Sequence, residues 1–220
     1  MIIVIDGPAG SGKSSTARAV AEQLQIQYLD SGALYRVATL VYLSTNRNRA
    51  VFLERLKVSE ISFYFKENKF QVALNGEQVS EKIREMEVSN AVSEVASMPE
   101  VRTYINDLMH KAVATGVFIA DGRDLGTAVF PNAELKFFMV ADLDDRAQRR
   151  LAEMETNGTK ATIEEVRANI ASRDEVDSSR EADPLKQAED AILVNTSGLT
   201  FKEQVSQISK HVQSVIAKEL

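Results

Sequence analysis

The chain has 220 residues, 44% of them hydrophobic, enough apolar side chain for the core of one α/β domain with an elaboration or of two small domains. It has no cysteine, which excludes disulfides and thiolate metal sites, and no apolar run near the length of about 18 residues that marks a membrane-spanning helix. A net charge of −6 argues against a broad basic face for nucleic acid, and a first strand that follows directly on Met1, with no basic leader, makes a cytoplasmic protein the expectation.

Ile2 to Ile5 is a β-branched apolar run suited to a buried parallel strand. Gly7 to Gly12 is a loop of small residues, and Ser14 to Leu24 reads as an amphipathic helix. Within this stretch Gly7, Gly12, Lys13 and Ser14 satisfy G-x-x-x-x-G-K-[ST], the phosphate-binding loop. The glycines let backbone N–H groups curl around a polyphosphate, and the following helix adds its free N–H groups and the positive end of its dipole. Lys13 supplies a mobile charge for the β- and γ-phosphates, and Ser14 a hydroxyl for Mg²⁺. The motif implies a bound nucleoside triphosphate with Mg²⁺, held by Gly7, Pro8, Ala9, Gly10, Ser11, Gly12, Lys13, Ser14 and Ser15.

Ile26 to Asp30 reads as a second strand, followed by helical periodicity from Ala33 to Ser44, with Ser31 as a candidate cap. Arg36, five residues after Ser31, is placed to reach back to the strand's carboxyl end, where ligands of open α/β sheets bind. Ala50 to Lys57 looks helical. The pattern then turns β-like: Ile61 to Phe65, a turn over Lys66 to Lys69, Phe70 to Leu74, the turn dipeptide Asn75-Gly76, and a short strand over Gln78 to Ser80. This antiparallel meander, at about 60–80, reads as an insert. Glu81 to Met86 is expected to be helical, as is Glu87 to Ser97, with Val88, Ala91, Val92, Val95 and Ala96 on one face and Ser93 beside it. Pro99 suits the first turn of the next helix, whose apolar stripe runs from Val101 to Val113 and leaves Arg102 off it. His110 and His211 lie on helices without metal-ligand spacing and read as ordinary helix residues.

Val117 to Ala120 is a third buried strand. It leads into Asp121-Gly122-Arg123-Asp124-Leu125-Gly126, a density of charge that a surface turn does not need. Leu135 to Val140 is a fourth strand. Asp142 is placed to cap the next helix, which carries Arg146, Arg149 and Arg150 and is expected to stop at Asn157-Gly158. Thr162 and Glu165 form a capping box for a helix through Arg173, and the charged run to Asp183 carries Asp177 and Arg180 before Pro184 closes it. This arginine-rich hairpin reads as a lid over about 150–185. Ala191 to Asn195 is a fifth strand and Thr200 to Glu219 a final amphipathic helix. The fold class is α/β: one domain over 1–220, with a five-stranded parallel sheet flanked by helices, an insert at about 31–115, a small antiparallel β element within it, and a short helical lid.

Short arginine-bearing inserts on such a core point to the nucleoside monophosphate kinase group. Gly7 to Lys13, Asp30-Ser31-Gly32-Ala33-Leu34-Tyr35-Arg36 and Ala120 to Thr127 resemble the bacterial cytidylate kinases. The run from Glu87 to Arg102 and the set Ser172-Arg173-Asp174, Asp177, Arg180 and Asp183-Pro184-Leu185 do too, so the resemblance covers about residues 2–196. It implies transfer of the γ-phosphoryl group of ATP to CMP or dCMP, with Mg²⁺ accompanying ATP. Its implied catalytic residues are Lys13, Arg123 and Arg180. Arg36, Arg123 and Arg180 correspond to a clamp on the acceptor phosphate, and Ser31, Arg102 and Asp124, with Ser93 beside them, to cytosine readers. Arg173 and Asp177 correspond to sugar or phosphate contacts from the lid. Insert and lid closure would exclude water and suppress ATP hydrolysis. No nucleic acid or membrane partner is implied, and a monomer is expected.

Chemistry agrees with these roles. A carboxylate accepts from the amino group of cytosine and repels the carbonyl of uracil, which suits Asp124, while Arg102 can donate to O2 or N3. The acceptor phosphate is already ionised near neutrality, with a second pKa of about 6, so no strong general base is needed. The lid from Arg173 to Arg180 is less charged than in many relatives of this kind, and the adenine site has no motif; Arg146 or Arg150 is a candidate to stack on the base. Two other readings remain open: a kinase of this core acting on AMP, UMP or shikimate, and a nucleotide-dependent binding module. The latter predicts Asn-Lys-x-Asp, which the sequence does not contain.

Overall fold

The computed structural model describes residues 1–66, 69–156, 158 and 160–219. Backbone contacts divide the chain into two compact units: Met1–Tyr28 with Thr115–Leu220, and Leu29–Ala114. The first contains β1 (Ile2–Asp6), α1 (Lys13–Leu24), the start of β2 (Gln27–Asp30), β6 (Phe118–Gly122), β7 (Leu135–Val140), α6 (Leu143–Thr156), α7 (Ile163–Ser179), β8 (Ile192–Asn195) and α8 (Phe201–Glu219). The second holds α2 (Ser31–Ser44), α3 (Arg49–Val58), β3 (Ile61–Lys66), β4 (Lys69–Leu74), β5 (Glu77–Gln78), α4 (Met86–Ala96) and α5 (Pro99–Ala112).

The main sheet has the order β2-β6-β1-β7-β8. β1 runs parallel to both neighbours, with Ile3 opposite Ile119 on β6 and Leu135 on β7, and β8 extends the sheet in parallel beyond β7. Ile3, Val4 and Ile5 are fully buried, as a continuous apolar strand covered on both faces must be. Helix α8 buries Ile208 and Val212, and its Ser209 hydroxyl donates to Gln23 of α1. Helices α6 and α7 form a hairpin with a core of its own, where Ala147, Met154, Val166 and Ile170 pack with Ala9. The capping box at Thr162 is formed as the sequence predicts: its hydroxyl accepts from the Glu165 N–H and the Glu165 carboxylate from the Thr162 N–H. Asn157 of the expected stop lies outside the described residues; Gly158, at φ 73°, follows the end of α6.

In the second unit β3, β4 and β5 make the antiparallel sheet. Asn75 and Gly76 turn it, both at positive φ, and Phe63 stacks on Phe70 with ring centroids 5.2 Å apart. Of the turn expected over Lys66 to Lys69, Glu67 and Asn68 lie outside the described residues. Two local expectations are corrected. The third strand ends at Gln78 because the Ser80 hydroxyl, not a strand backbone, accepts from the Val72 N–H. The helix expected over Glu81 to Met86 is a single 3₁₀ turn, Lys82–Arg84, before α4 begins.

Candidate active site

Strand order reverses at β1, with β6 on one side and β7 on the other, and a crevice opens outside the carboxyl ends of strands at such a point. β1 runs into the glycine loop and β6 into Arg123 and Asp124. Gly7 is required: a Cβ there would lie 2.1 Å from the Met139 carbonyl oxygen. Gly12 occupies the N-cap of α1 at φ 90°, where no side chain satisfies the first N–H groups of the helix. Ala9 is pinned from two sides: its N–H donates to Asp174 of α7, and its carbonyl accepts from Arg146 of α6 at 2.9 Å. Arg146 also pairs with Asp174 and donates to the Ala141 carbonyl, so it braces the loop rather than offering a face to a base. Arg150, the other stacking candidate, pairs with Glu153.

Lys13 folds over its loop, Nζ donating to the Pro8 carbonyl at 3.1 Å. Burial, reinforced by the nearby Arg123 and Arg173 guanidinium groups, pushes its pKa down to about 7, against the pull of Asp121 and Asp177. Arg123 Nε donates to Asp177 at 2.8 Å. Burial opposes charge on both, but each holds the other ionised, with Arg123 raised and Asp177 lowered. Burial and Arg123 push Arg173 down to about 10, and its Nε is a buried donor with no hydrogen-bond partner. Arg180 Nη2 meets Asp124 at 2.7 Å with both side chains buried, and its Nε and Nη2 also donate to the Asp183 carbonyl. Asp183 itself sits at φ 47°, a left-handed conformation that costs a non-glycine residue energy. Lys13, Ser14, Arg123, Asp124, Arg173, Asp177 and Arg180 thus share one unit.

Ser31, Arg36, Ser93 and Arg102 belong to the other unit. Arg36 donates to the Ser89 hydroxyl at 2.8 Å and the Ile83 carbonyl at 3.2 Å. Capping of α2 falls to Asp30, whose carboxylate accepts from the Ala33 N–H, and Ser31 is the first helical residue. Asp30 is buried, yet Arg84 at 2.9 Å and the Ala33 N–H hold its pKa below the usual carboxylate range. Ser93 is buried on α4. Arg102, off the apolar stripe of α5, is nonetheless buried, 2% exposed. Its guanidinium donates to the Ala96 carbonyl at the end of α4, where the helix dipole favours a cation, and lies 5.7 Å from the Tyr35 ring centroid.

A family model described as cytidylate kinase matches residues 3–214. The chain belongs to the cytidylate kinase family. A cytidylate kinase of Carboxydothermus hydrogenoformans is 42% identical over 211 residues, 94% of this chain and 95% of that one. One from Clostridium tetani is 41% identical over 222 residues, covering 100% and 96%. Among solved structures, an uncharacterized protein from Eubacterium ventriosum superposes with a TM-score of 0.55 at 12% identity over 97% of this chain and 99% of that one, a likeness of fold.

In this cytidylate kinase chain the sequence reading missed a residue at the loop itself. Asp121 was grouped with the turn that follows, but it belongs to β6, where Ser14 Oγ donates to its Oδ2 at 2.5 Å and the Tyr28 hydroxyl to its Oδ1 at 2.6 Å. The available signal was that an acid ending a buried strand needs a partner. A hydroxyl and a carboxylate side by side are hard oxygen donors suited to Mg²⁺, which takes one or two protein oxygens and completes its octahedron with water and phosphate. Among the described residues no group of three or more His, Cys, Asp or Glu could hold a metal alone. No helix among them is long and apolar enough to cross a membrane.

Proposed function

We infer that the chain transfers the γ-phosphoryl group of ATP to CMP or dCMP, releasing ADP and CDP or dCDP. The observation that carries this reading is the gathering of Lys13, Arg123 and Arg173 in one buried cluster, where burial and the neighbouring positive charges lower the pKa of Lys13 and Arg173 and the Arg173 Nε has no hydrogen-bond partner. Such a cluster is stabilised by a multiply charged anion, and the glycine loop with its uncapped helix N-terminus fits a polyphosphate. Lys13 bridges the transferred group and its donor oxygens. Arg123 and Arg180 draw charge from the acceptor phosphate and the migrating phosphoryl, and Arg36 completes the clamp. Ser31, Ser93, Arg102 and Asp124 read cytosine, and Arg173 and Asp177 contact sugar or phosphate. Ser14 and Asp121 would hold Mg²⁺, which would supply positive charge against the triphosphate. Asp124 is held in place to read cytosine by the Arg180 guanidinium, which donates to its Oδ1. We extend the proposal to a cytoplasmic monomer, in keeping with a cysteine-free chain.

An acceptor panel tests the substrate. CMP and dCMP should be phosphorylated well ahead of UMP and AMP, and equal rates would defeat the assignment. Asp124→Asn should narrow the CMP-to-UMP ratio of kcat/KM by about tenfold or more, because an amide accepts less strongly from cytosine and tolerates uracil. An unchanged ratio would count against Asp124 as the reader.

Lys13 offers a second test of the donor site. With its pKa near 7, it is mostly neutral at pH 8.5 when no anion is present. A polyphosphate restores the ammonium form, so binding should take up close to one proton. Calorimetry of a non-hydrolysable ATP analogue at pH 8.5, in buffers of different ionisation enthalpy, reads that proton directly. Uptake should vanish in Lys13→Ala; buffer-independent heats with the unsubstituted protein would refute it.

A further inference from the structure

Asp6 is the last residue of β1 and immediately precedes the phosphate loop, yet neither the loop motif nor the acceptor assignments give it a task. Its side chain is buried, 4% exposed. Its two carboxylate oxygens take one backbone N–H each: Leu125 at 3.0 Å on Oδ1 and Gly126 at 2.7 Å on Oδ2. These N–H groups open the single π-helical turn Leu125–Val129, which follows directly on Asp124. The turn is wider than an α-helical one but closed by its own hydrogen bonds. The Asp124 carbonyl accepts from the Ala128 N–H at 2.9 Å, and the Leu125 carbonyl from the Phe130 N–H at 2.6 Å. The first N–H groups of such a turn have no partner within it, and Asp6 supplies one with full negative charge. The approach is close at 126, so that a side chain there would crowd its neighbours. A Cβ there would stand 3.4 Å from Asp6 Oδ2, 3.3 Å from Val4 and 3.1 Å from Lys136.

We propose that Asp6 is a positioning residue for substrate discrimination: by gripping the Leu125 and Gly126 N–H groups it fixes the backbone from which Asp124 projects, and so sets the preference for cytosine over uracil. The inference rests on the reading of Asp124 as the residue that recognises cytosine. A carboxylate is the group the geometry requires. It offers an acceptor to each of two neighbouring N–H groups, whereas an amide offers one and turns its own NH₂ toward the second. Burial raises the Asp6 pKa to about 6 in spite of both bonds, so the ionised carboxylate is held at an energetic cost, with Asp124 adding repulsion and Lys13 attraction.

The test compares Asp6→Asn, Gly126→Ala and Asp124→Asn by kcat/KM for CMP and UMP, with thermal unfolding in parallel. In Asp6→Asn the CMP-to-UMP ratio should fall by about tenfold, through loss with CMP rather than gain with UMP, while the unfolding temperature changes little. Gly126→Ala, which crowds the turn against Asp6, Val4 and Lys136 while leaving the Asp6 carboxylate in place, should narrow the ratio in the same direction and keeps the question answerable should Asp6→Asn fold poorly. The double variant Asp6→Asn/Asp124→Asn should be no less selective than Asp124→Asn alone, because Asp6 acts through Asp124. Additive losses in the double variant would overturn the proposal. So would a narrowed ratio in Asp124→Asn beside unchanged ratios in both Asp6→Asn and Gly126→Ala. An unchanged ratio in Asp124→Asn would instead remove the reading on which the proposal stands.

Discussion

Replacing Lys13 with alanine is expected to lower kcat by about a thousandfold or more while leaving the protein folded. The lysine is buried beside Arg123 and Arg173, and its pKa lies near 7 rather than 10.5. Its charge is therefore a burden to the fold that the phosphates of ATP relieve. The direction with pH follows. A lysine whose folded pKa is below its unfolded value lets the unfolded chain bind the extra proton between about pH 7 and 10.5, so its cost to stability is greatest below pH 7 and fades as the pH rises through that window. Lys13→Ala should accordingly match or exceed the parent in thermal stability at pH 6, with the advantage shrinking by pH 10. Near-normal turnover in a folded Lys13→Ala protein would end the catalytic role given to this residue.

Arg123→Ala should harm both activity and stability. Its partner Asp177 is buried and held ionised chiefly by it, so truncating the arginine removes the hydrogen bond and the nearest charge from a buried carboxylate and leaves only the weaker pull of Arg173 and Arg180. Breaking a buried pair from one side costs about 3 kcal/mol. Because Asp177 has a depressed pKa in the fold, the stability it confers is present above the usual carboxylate pKa of about 4 and is lost as the pH falls through the lower folded value. The difference between parent and Arg123→Ala should thus be largest near neutrality and close in strong acid. Turnover should fall by about a thousandfold, the scale of an arginine that stabilises a transferring phosphoryl group. Arg123→Lys separates the two effects. It keeps a cation for Asp177 but not the planar fork, so stability should recover far more than activity. Equal recovery of both would show that Arg123 serves the fold alone.

What the sequence made legible follows the distance over which each feature is determined. The phosphate loop is local: strand, glycines, lysine and helix lie within one run, and the structure builds them in that order. The capping box at Thr162 spans three residues and forms as written. The five strands of the main sheet and the antiparallel meander were visible from their apolar runs. Other features depend on residues far apart. The two bonds of Asp6 reach 119 and 120 residues along the chain, and no spacing rule connects them. Asp121 bonds Ser14 across 107 residues. The burial of Arg102 had no local signal, because the carbonyl it donates to belongs to another helix. Asp30 and Ser31 are both good caps, and only the backbone geometry chooses between them: Asp30 is extended and helical geometry begins at Ser31. The π-turn after Asp124 has no sequence signature, since it is formed by chain that the end of β1 has to hold in place.

The parallel pairing of β1 also bears on how the chain is made. β1 emerges early, but its partners are β6 and β7, and its own Ile2 N–H donates to Glu134, 132 residues on. At about 5–20 residues per second of synthesis, the strand that carries the phosphate loop waits roughly seven to twenty-seven seconds for its second neighbour. The unit from Leu29 to Ala114 is contiguous and has its hairpin partners close at hand, with Ile61 opposite Leu74. The most recognisable element of the sequence is therefore among the last to acquire its native neighbours on the ribosome, and a glycine-rich, apolar start must stay free of wrong partners until β7 arrives.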